Sequence, residues 1–83
     1  MEQVTRTIKQ IGAAVRRARR LQKMTQSQLA NKINVRQATI STFETGEEGA
    51  SLQTLLEILA ALNLELVIRP RSKASPSDIE EIF

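Results

Sequence analysis

The chain has 83 residues, with 12 Lys and Arg against 9 Asp and Glu, and it contains neither Cys nor His. This composition leaves no disulfide, no thiol nucleophile, no imidazole base and no soft metal ligand, so no metal, no cofactor and no small-molecule substrate is expected. An enzyme is therefore the least favoured function class. The chain also lacks a membrane-length apolar run and a signal peptide, which predicts a cytoplasmic protein with no membrane partner. Because so small a domain buries little surface, oligomerisation is the expected source of added stability.

The net charge of +3 divides unevenly along the chain. Residues 1–43 carry nine basic residues and one acidic residue, whereas residues 44–65 carry five Glu and no basic residue. A basic half is typical of a protein that binds a polyanion, because each neutralised phosphate releases counterions. A solvated helix face gives the same pattern, so charge alone does not decide between these interpretations.

Helical periodicity begins close to the N-terminus. Apolar residues at three- to four-residue spacing predict a first helix over residues 5–21. Thr25 and Gln28 match a capping box, which predicts that a second helix begins directly after Thr25 and covers residues 26–33. Asn34 tolerates the left-handed backbone conformation and is expected to end this helix.

A third helix is predicted over residues 36–45 and ends at Gly46. Ile40 and Phe43 fall on one side of this helix and form its inward stripe. The opposite arc is small, uncharged and polar, whereas an ordinary solvent face more often carries Lys and Glu. This arc can therefore approach another surface closely.

A fourth helix and a strand are predicted to follow. Ser51 is the expected N-cap of a helix over residues 52–62, whose apolar set is Leu52, Leu55, Leu56, Leu59 and Leu62. Residues 64–69 then alternate in a strand-like pattern that Pro70 ends. A single strand leaves its backbone groups unpaired, so we expect it to pair with a second copy through Leu64, Leu66 and Ile68. Packing as an extended tail on its own domain is the alternative.

The second and third helices have the dimensions of a helix-turn-helix, in which the second helix enters the major groove of DNA. The residues predicted to read bases are Arg36, Gln37, Ala38 and Ser41. Those predicted to bind phosphates are Lys23, Gln26, Ser27, Thr39 and Thr42. Gln37 is suited to an adenine edge, since its amide can accept and donate at once. The alternative is that all these residues serve only as caps and helix surface.

Three stretches of the chain resemble the Xre/Cro family of repressor-like domains: Gln26-Ser27-Gln28-Leu29-Ala30, Gln37-Ala38-Thr39-Ile40-Ser41 and Phe43-Glu44-Thr45-Gly46. The resemblance implies an all-α, lambda-repressor-like helix-turn-helix bundle of four to five helices that binds operator DNA as a homodimer. It also implies a structural ion pair between Arg19 and Glu44. Asn34 departs from the family, which usually has a turn glycine at this position.

A narrower resemblance, to HipB-like antitoxins of Hip-type toxin–antitoxin modules, rests on residues 36–41, the single strand after Leu62 and the short tail that begins at Lys73. It implies a transcriptional repressor of its own operon whose partner is a HipA-like kinase toxin. A stand-alone Xre-type phage or host regulator is one alternative. A protein-interaction scaffold that does not bind DNA is another.

The predicted organisation is a helix-turn-helix DNA-binding domain over residues 1–63, a dimerisation strand over residues 64–70 and a flexible tail over residues 71–83. The last residues of the tail, from Asp78 to Phe83, combine three acidic and three apolar side chains in a short motif. This motif is either an amphipathic turn that docks into a partner or a disordered end.

Overall fold

A computed structural model of the chain describes residues 3–47, 49 and 51–71. Four helices follow one another in this part of the chain: α1 at Ile8–Leu21, α2 at Gln26–Lys32, α3 at Gln37–Thr45 and α4 at Leu52–Ala61. The predicted all-α helix-turn-helix bundle is confirmed. None of these helices is long and apolar enough to cross a membrane. The tail beyond Arg71 lies outside the described residues.

Hydroxyl side chains define where three of the helices begin. Thr7, Thr25 and Ser51 each accept a hydrogen bond from the backbone N–H three residues later, at 3.0–3.1 Å. Gln28 completes the predicted capping box, since its Oε1 accepts from the backbone N–H of Thr25 at 2.8 Å. The cap at Thr7 makes α1 begin at Ile8, three residues later than its periodicity predicts.

All four helices end with the same backbone arrangement. One residue adopts a left-handed conformation, and the N–H of the residue after it donates to the carbonyl five positions earlier, at 2.7–3.3 Å. The left-handed residues are Lys23, Asn34, Gly46 and Asn63, with φ between 56° and 77°. The predicted stops at Asn34 and Gly46 are confirmed. Ile33 and Leu62 are the C-caps of α2 and α4, so these helices end one residue before their predicted ends.

The core lies on the inner sides of the four helices. Helix α3 packs against both α1 and α2, while α4 contacts α2. Ile40 and Phe43 point inward from α3, as predicted. The buried apolar set is Val15, Leu29, Ala30, Ile40, Phe43, Ile58 and Leu62. This packing fixes the orientation of α3 and leaves its opposite face at the surface.

The prediction for the apolar face of α4 was partly wrong. Leu52 and Leu56 are 64% and 47% exposed, whereas Ile58, absent from the predicted set, is fully buried. At 100° per residue the apolar arc of α4 is roughly 160° wide, and the core covers only the side that carries Ile58 and Leu62. The other side of the arc, with Leu52 and Leu56, is exposed to solvent in a single chain.

Residues 64–71 form neither helix nor strand in the described chain. Their apolar side chains are open to solvent, and the exposure of Leu66, Val67 and Ile68 is 51%, 66% and 92%. A strand exists only with a partner in its hydrogen-bond ladder, and a single chain provides none here. Pairing through Leu64, Leu66 and Ile68 therefore stays a prediction.

Gly12 permits the close approach of α1 and α3. A Cβ atom at this position would lie 2.4 Å from the carbonyl oxygen of Phe43 and 2.7 Å from that of Glu44. Both obstacles are backbone atoms of α3, which cannot rotate away as a side chain could. Any side chain at position 12 must therefore push α3 outward.

We expect Gly12→Ala to destabilise the domain by roughly 1–3 kcal/mol, because overpacking outweighs the gain in helix propensity. Urea denaturation followed by circular dichroism measures this change. Ala13→Ser, at the neighbouring exposed position, is the control and should shift stability by at most about 0.5 kcal/mol. Equal stability of Gly12→Ala and the wild type would contradict the tight contact.

Candidate nucleic-acid interface

The turn between α2 and α3 is short and internally bonded. The backbone N–H of Val35 donates to the carbonyl of Ala30 at 2.9 Å, and Asn34 provides the left-handed residue between them. Leu29 of α2 and Ile40 of α3 are fully buried on the inner side of this unit. The two helices are therefore held at a fixed angle, with the outer face of α3 uncovered.

The structure places the predicted base-reading residues on the surface at the start of α3. Gln37 and Ala38 are exposed, and the half-buried Ser41 lies one turn along the same face as Gln37. Arg36 is exposed at the N-cap of α3 and makes no side-chain capping hydrogen bond. These four residues offer one guanidinium, one amide, one methyl and one hydroxyl group, and no acidic group.

The predicted phosphate-binding residues divide into two groups. Lys23, Gln26 and Ser27 line one open cavity of about 420 Å³, together with Gln37 of α3. Thr39 is exposed but faces away from Gln37, since the two positions are separated by about 200° around the helix. Thr42 is half-buried on the intervening side. The structure thus places three of the five predicted phosphate-binding residues next to the predicted base-reading residues.

Arg20 is a residue that the sequence interpretation did not single out. It lies in the last turn of α1 and lines the same cavity as Lys23 and Gln26. Arg20 was visible in the sequence only as one of several basic residues. Only the structure shows that Arg20 lies near Gln26, because the left-handed turn at Lys23 brings the end of α1 next to the start of α2.

Arg19 and Glu44 form a buried ion pair beneath this surface. Arg19 Nε donates to Glu44 Oε2 at 2.6 Å, and Nη2 donates to Oε1 at 3.0 Å. The side chains are only 8% and 2% exposed. Nη1 of Arg19 also donates to the carbonyl oxygen of Met24 at 2.7 Å, which ties the pair to the α1–α2 turn. The hydrogen bond to Glu44 raises the pKa of Arg19, burial opposes this shift, and the charge of Glu44 adds to it.

The ion pair continues into a chain of side-chain amides. Gln26 Nε2 donates to Glu44 Oε1 at 3.1 Å, and Gln37 Nε2 donates in turn to Gln26 Oε1. A phosphate-binding candidate and a base-reading candidate are thus bonded to each other. Neither link was predicted from the sequence, because spacing along the chain does not indicate which amides meet.

Charge at this face is predominantly positive. Arg20, Lys23 and Arg36 are exposed around the starts of α2 and α3, while the nearby Glu44 is buried and paired with Arg19. The acidic half of the sequence therefore does not neutralise the basic surface at this point. No cluster of acidic residues able to hold a metal ion occurs among the described residues.

Comparison with known proteins agrees with the helix-turn-helix geometry of α2 and α3. Residues 15–68 match the family described as helix-turn-helix, HTH_3. The chain belongs to the helix-turn-helix family. It is 39% identical over 72 residues to antitoxin HipB of Escherichia coli O6:H1, an alignment that covers 87% of this chain and 77% of that protein.

Solved structures of HipB resemble this helix-turn-helix protein along nearly their whole length. A chain of the HipA-HipB-O2-O3 complex is 35% identical, with a TM-score of 0.75, and the match covers 82% of this chain and 96% of that one. A chain of the HipB-O4 20mer complex is also 35% identical, has a TM-score of 0.76 and gives the same coverage. The resemblance to HipB-like antitoxins stated from the sequence is confirmed.

Gln37→Ala tests whether Gln37 of this helix-turn-helix protein reads bases, as the sequence predicts. We expect the variant to lose about 1–3 kcal/mol of binding free energy for its preferred DNA, and to lose preference at one base pair. Fluorescence anisotropy with a panel of single-base-pair variants of that DNA measures both effects. Uniform weakening on every sequence would contradict base reading by Gln37.

Proposed function

We propose that this protein is the antitoxin of a Hip-type toxin–antitoxin module, in which it represses its own operon and binds a HipA-like kinase toxin. It acts in the cytoplasm as a binding protein and not as an enzyme. The observation that carries this proposal is the uncharged outer face of α3 beside a basic cavity, on a fold that matches HipB chains over 82% of its length. The chain is a DNA-binding regulator of the HipB type.

The exposed groups on α3 have the chemistry that major-groove recognition needs. Gln37 can accept from and donate to adenine, the methyl group of Ala38 suits thymine, and Ser41 can bond to either kind of base. Arg36 can reach a guanine edge or a phosphate. The start of α3 is therefore the part of the protein that we assign to sequence readout.

Phosphate contacts position the protein on the duplex. Lys23, Gln26 and Ser27 surround the cavity next to Gln37, so a phosphate bound by them would lie beside the bases that α3 reads. Thr39 and Thr42 remain candidates for phosphate contacts from the flank of α3. Binding through phosphates makes affinity fall steeply with salt concentration.

A homodimer provides a second copy of α3 to contact DNA. Operators of helix-turn-helix dimers contain two half-sites about 34 Å apart, one helical turn of DNA. The exposed apolar residues of the 64–70 segment, with Leu52 and Leu56 of α4, offer the surface for association of two copies. Residues 1–63 would then form the DNA-binding domain and residues 64–70 the dimerisation strand.

A stand-alone Xre-type regulator is the competing function, and the partner distinguishes the two. One of the related HipB structures is a complex that includes HipA, which favours a toxin partner for this protein as well. The test is to co-express the chain with the product of the adjacent gene in its operon and to measure co-elution and kinase activity. A stable complex with a kinase supports the antitoxin, whereas a neighbour that is no kinase, or that elutes separately, favours the stand-alone regulator.

A further inference from the structure

The hydrogen bonds beneath the DNA-facing surface all point towards the carboxylate of Glu44, from Arg19 on one side and from Gln26 and Gln37 on the other. Arg19 donates to Glu44, Gln26 donates to the same carboxylate, and Gln37 donates to Gln26. The chemistry of the buried end determines this direction, because a guanidinium can only donate and an ionised carboxylate can only accept. The two amides that follow have no such restriction of their own, since each carries both donors and an acceptor.

Glu44 therefore imposes an orientation on each amide in turn. Its Oε1 requires an N–H from Gln26, so Gln26 must direct its own oxygen towards Gln37. Gln37 must then place its Nε2 next to Gln26, which leaves its Oε1 as the group free to accept from a base. A rotated Gln37 amide would set two oxygens against each other.

From this geometry we infer that the buried Arg19–Glu44 pair, acting through Gln26, positions the amide of Gln37 so that it selects adenine over guanine. This inference rests on the proposed function as a DNA reader. Adenine offers N6–H to the exposed Oε1 and N7 to the remaining Nε2 hydrogen, so both bonds form. Guanine places its O6 acceptor where adenine has its donor, and an amide held in one orientation cannot turn to meet it.

The position of the pair makes it more than a structural link. Glu44 lies near the C-terminal end of α3 and Gln37 is its first residue, so the ion pair acts on the reading residue from almost two helical turns away. Gln26, at the first position of α2, is the only connection between them in this network. Arg19 in turn is anchored to the backbone by Met24, which fixes the buried end.

The test separates this positioning role from a role in stability. The double variant Arg19→Met with Glu44→Leu replaces the ion pair by an apolar pair and leaves the net charge unchanged. Such replacements often preserve folding. Full-length wild type and variant are titrated against duplexes from the region upstream of the protein's own gene. The base pair that Gln37 reads is the one at which Gln37→Ala loses its preference. At that base pair, A·T and G·C duplexes are compared.

We expect the wild type to bind the A·T duplex roughly 5- to 150-fold more tightly than the G·C duplex. In the double variant this affinity ratio should fall by at least about 5-fold, while the variant still binds DNA. Gln26→Leu should reduce the ratio to the same extent. Because this variant leaves the ion pair in place, it tests the inference even if the double variant does not fold. Combining all three substitutions should cause no further loss. Ser27→Ala is the matched control, because it lies in the same turn outside the network and should weaken both duplexes equally.

A folded double variant with the wild-type ratio, or Gln26→Leu with the wild-type ratio, would overturn the inference and leave the proposed function intact. The absence of any base pair with a Gln37-dependent preference would also overturn it. A wild type that binds its own upstream DNA no better than a scrambled duplex overturns the proposed function itself, and the inference with it.

Discussion

Glu44→Ala is expected to destabilise the domain by about 3–5 kcal/mol, the largest effect we predict for a single substitution. It leaves the guanidinium of Arg19 buried with only the carbonyl of Met24 as a partner. The cost is that of an uncompensated buried charge, and it exceeds what the intact pair itself contributes to stability. A loss of this size approaches the whole stability of a small domain, so much of the variant should be unfolded at moderate temperature. Urea denaturation monitored by circular dichroism gives the measurement.

Glu47→Ala provides the control, because Glu47 is an exposed carboxylate three residues from Glu44. Its removal changes the net charge in the same way and should alter stability by about 0.5 kcal/mol at most. If the two variants differed by less than about 1 kcal/mol, the ion pair would not be the buried anchor that its exposure of 8% and 2% indicates.

Deletion of residues 64–83 is the second prediction with a large effect. We expect the truncated protein to be monomeric and to bind its operator at least about 100-fold more weakly, because a monomer loses the advantage of binding two half-sites at once. The exposed side chains of Leu66, Val67 and Ile68 are the surface that would be lost. Sedimentation velocity measures the oligomeric state, and fluorescence anisotropy measures the affinity.

A truncation that keeps residues 1–71 separates the predicted dimerisation segment from the tail. This longer protein should remain a dimer and bind DNA as the full chain does, since it retains the whole segment assigned to pairing. A protein of residues 1–63 that still sediments as a dimer would show that the 64–70 segment is not required. The exposed Leu52 and Leu56 of α4 would then be the next surface to test.

Local features of the chain were predictable because local chemistry determines them. The capping box of Thr25 and Gln28 and the left-handed stops at Asn34 and Gly46 all depend on residues within one helical turn. The inward stripe of Ile40 and Phe43 follows from helical spacing. The start of α1 was displaced, since periodicity continues beyond the point at which Thr7 caps the helix.

Features that depend on contacts between helices could not be read from spacing. Gly12 is one of three glycines in the sequence, and only the packed structure shows that its missing side chain accommodates the backbone of α3. The burial of Ile58 instead of Leu52 depends on how α4 is rotated against α2. In the same way, the links of Gln26 to Glu44 and Gln37 join residues 18 and 11 positions apart, where no local pattern indicates a contact.

The candidate site combines both kinds of information. The residue types at Gln37, Ala38 and Ser41 indicate base reading because their groups are uncharged and small on an otherwise basic segment. The structure adds that Lys23, Gln26 and Ser27 share a cavity with Gln37, whereas Thr39 faces away from it. Phosphate contacts and base contacts are thus predicted to meet at the starts of α2 and α3.

The most direct test of the account is a titration of the purified protein with the DNA upstream of its own gene and with a scrambled duplex of equal length, at several salt concentrations. We predict that it prefers its own DNA by at least about 1000-fold, and that affinity for both duplexes falls linearly with the logarithm of salt concentration. Equal affinity for the two duplexes at every salt concentration would contradict sequence reading by α3.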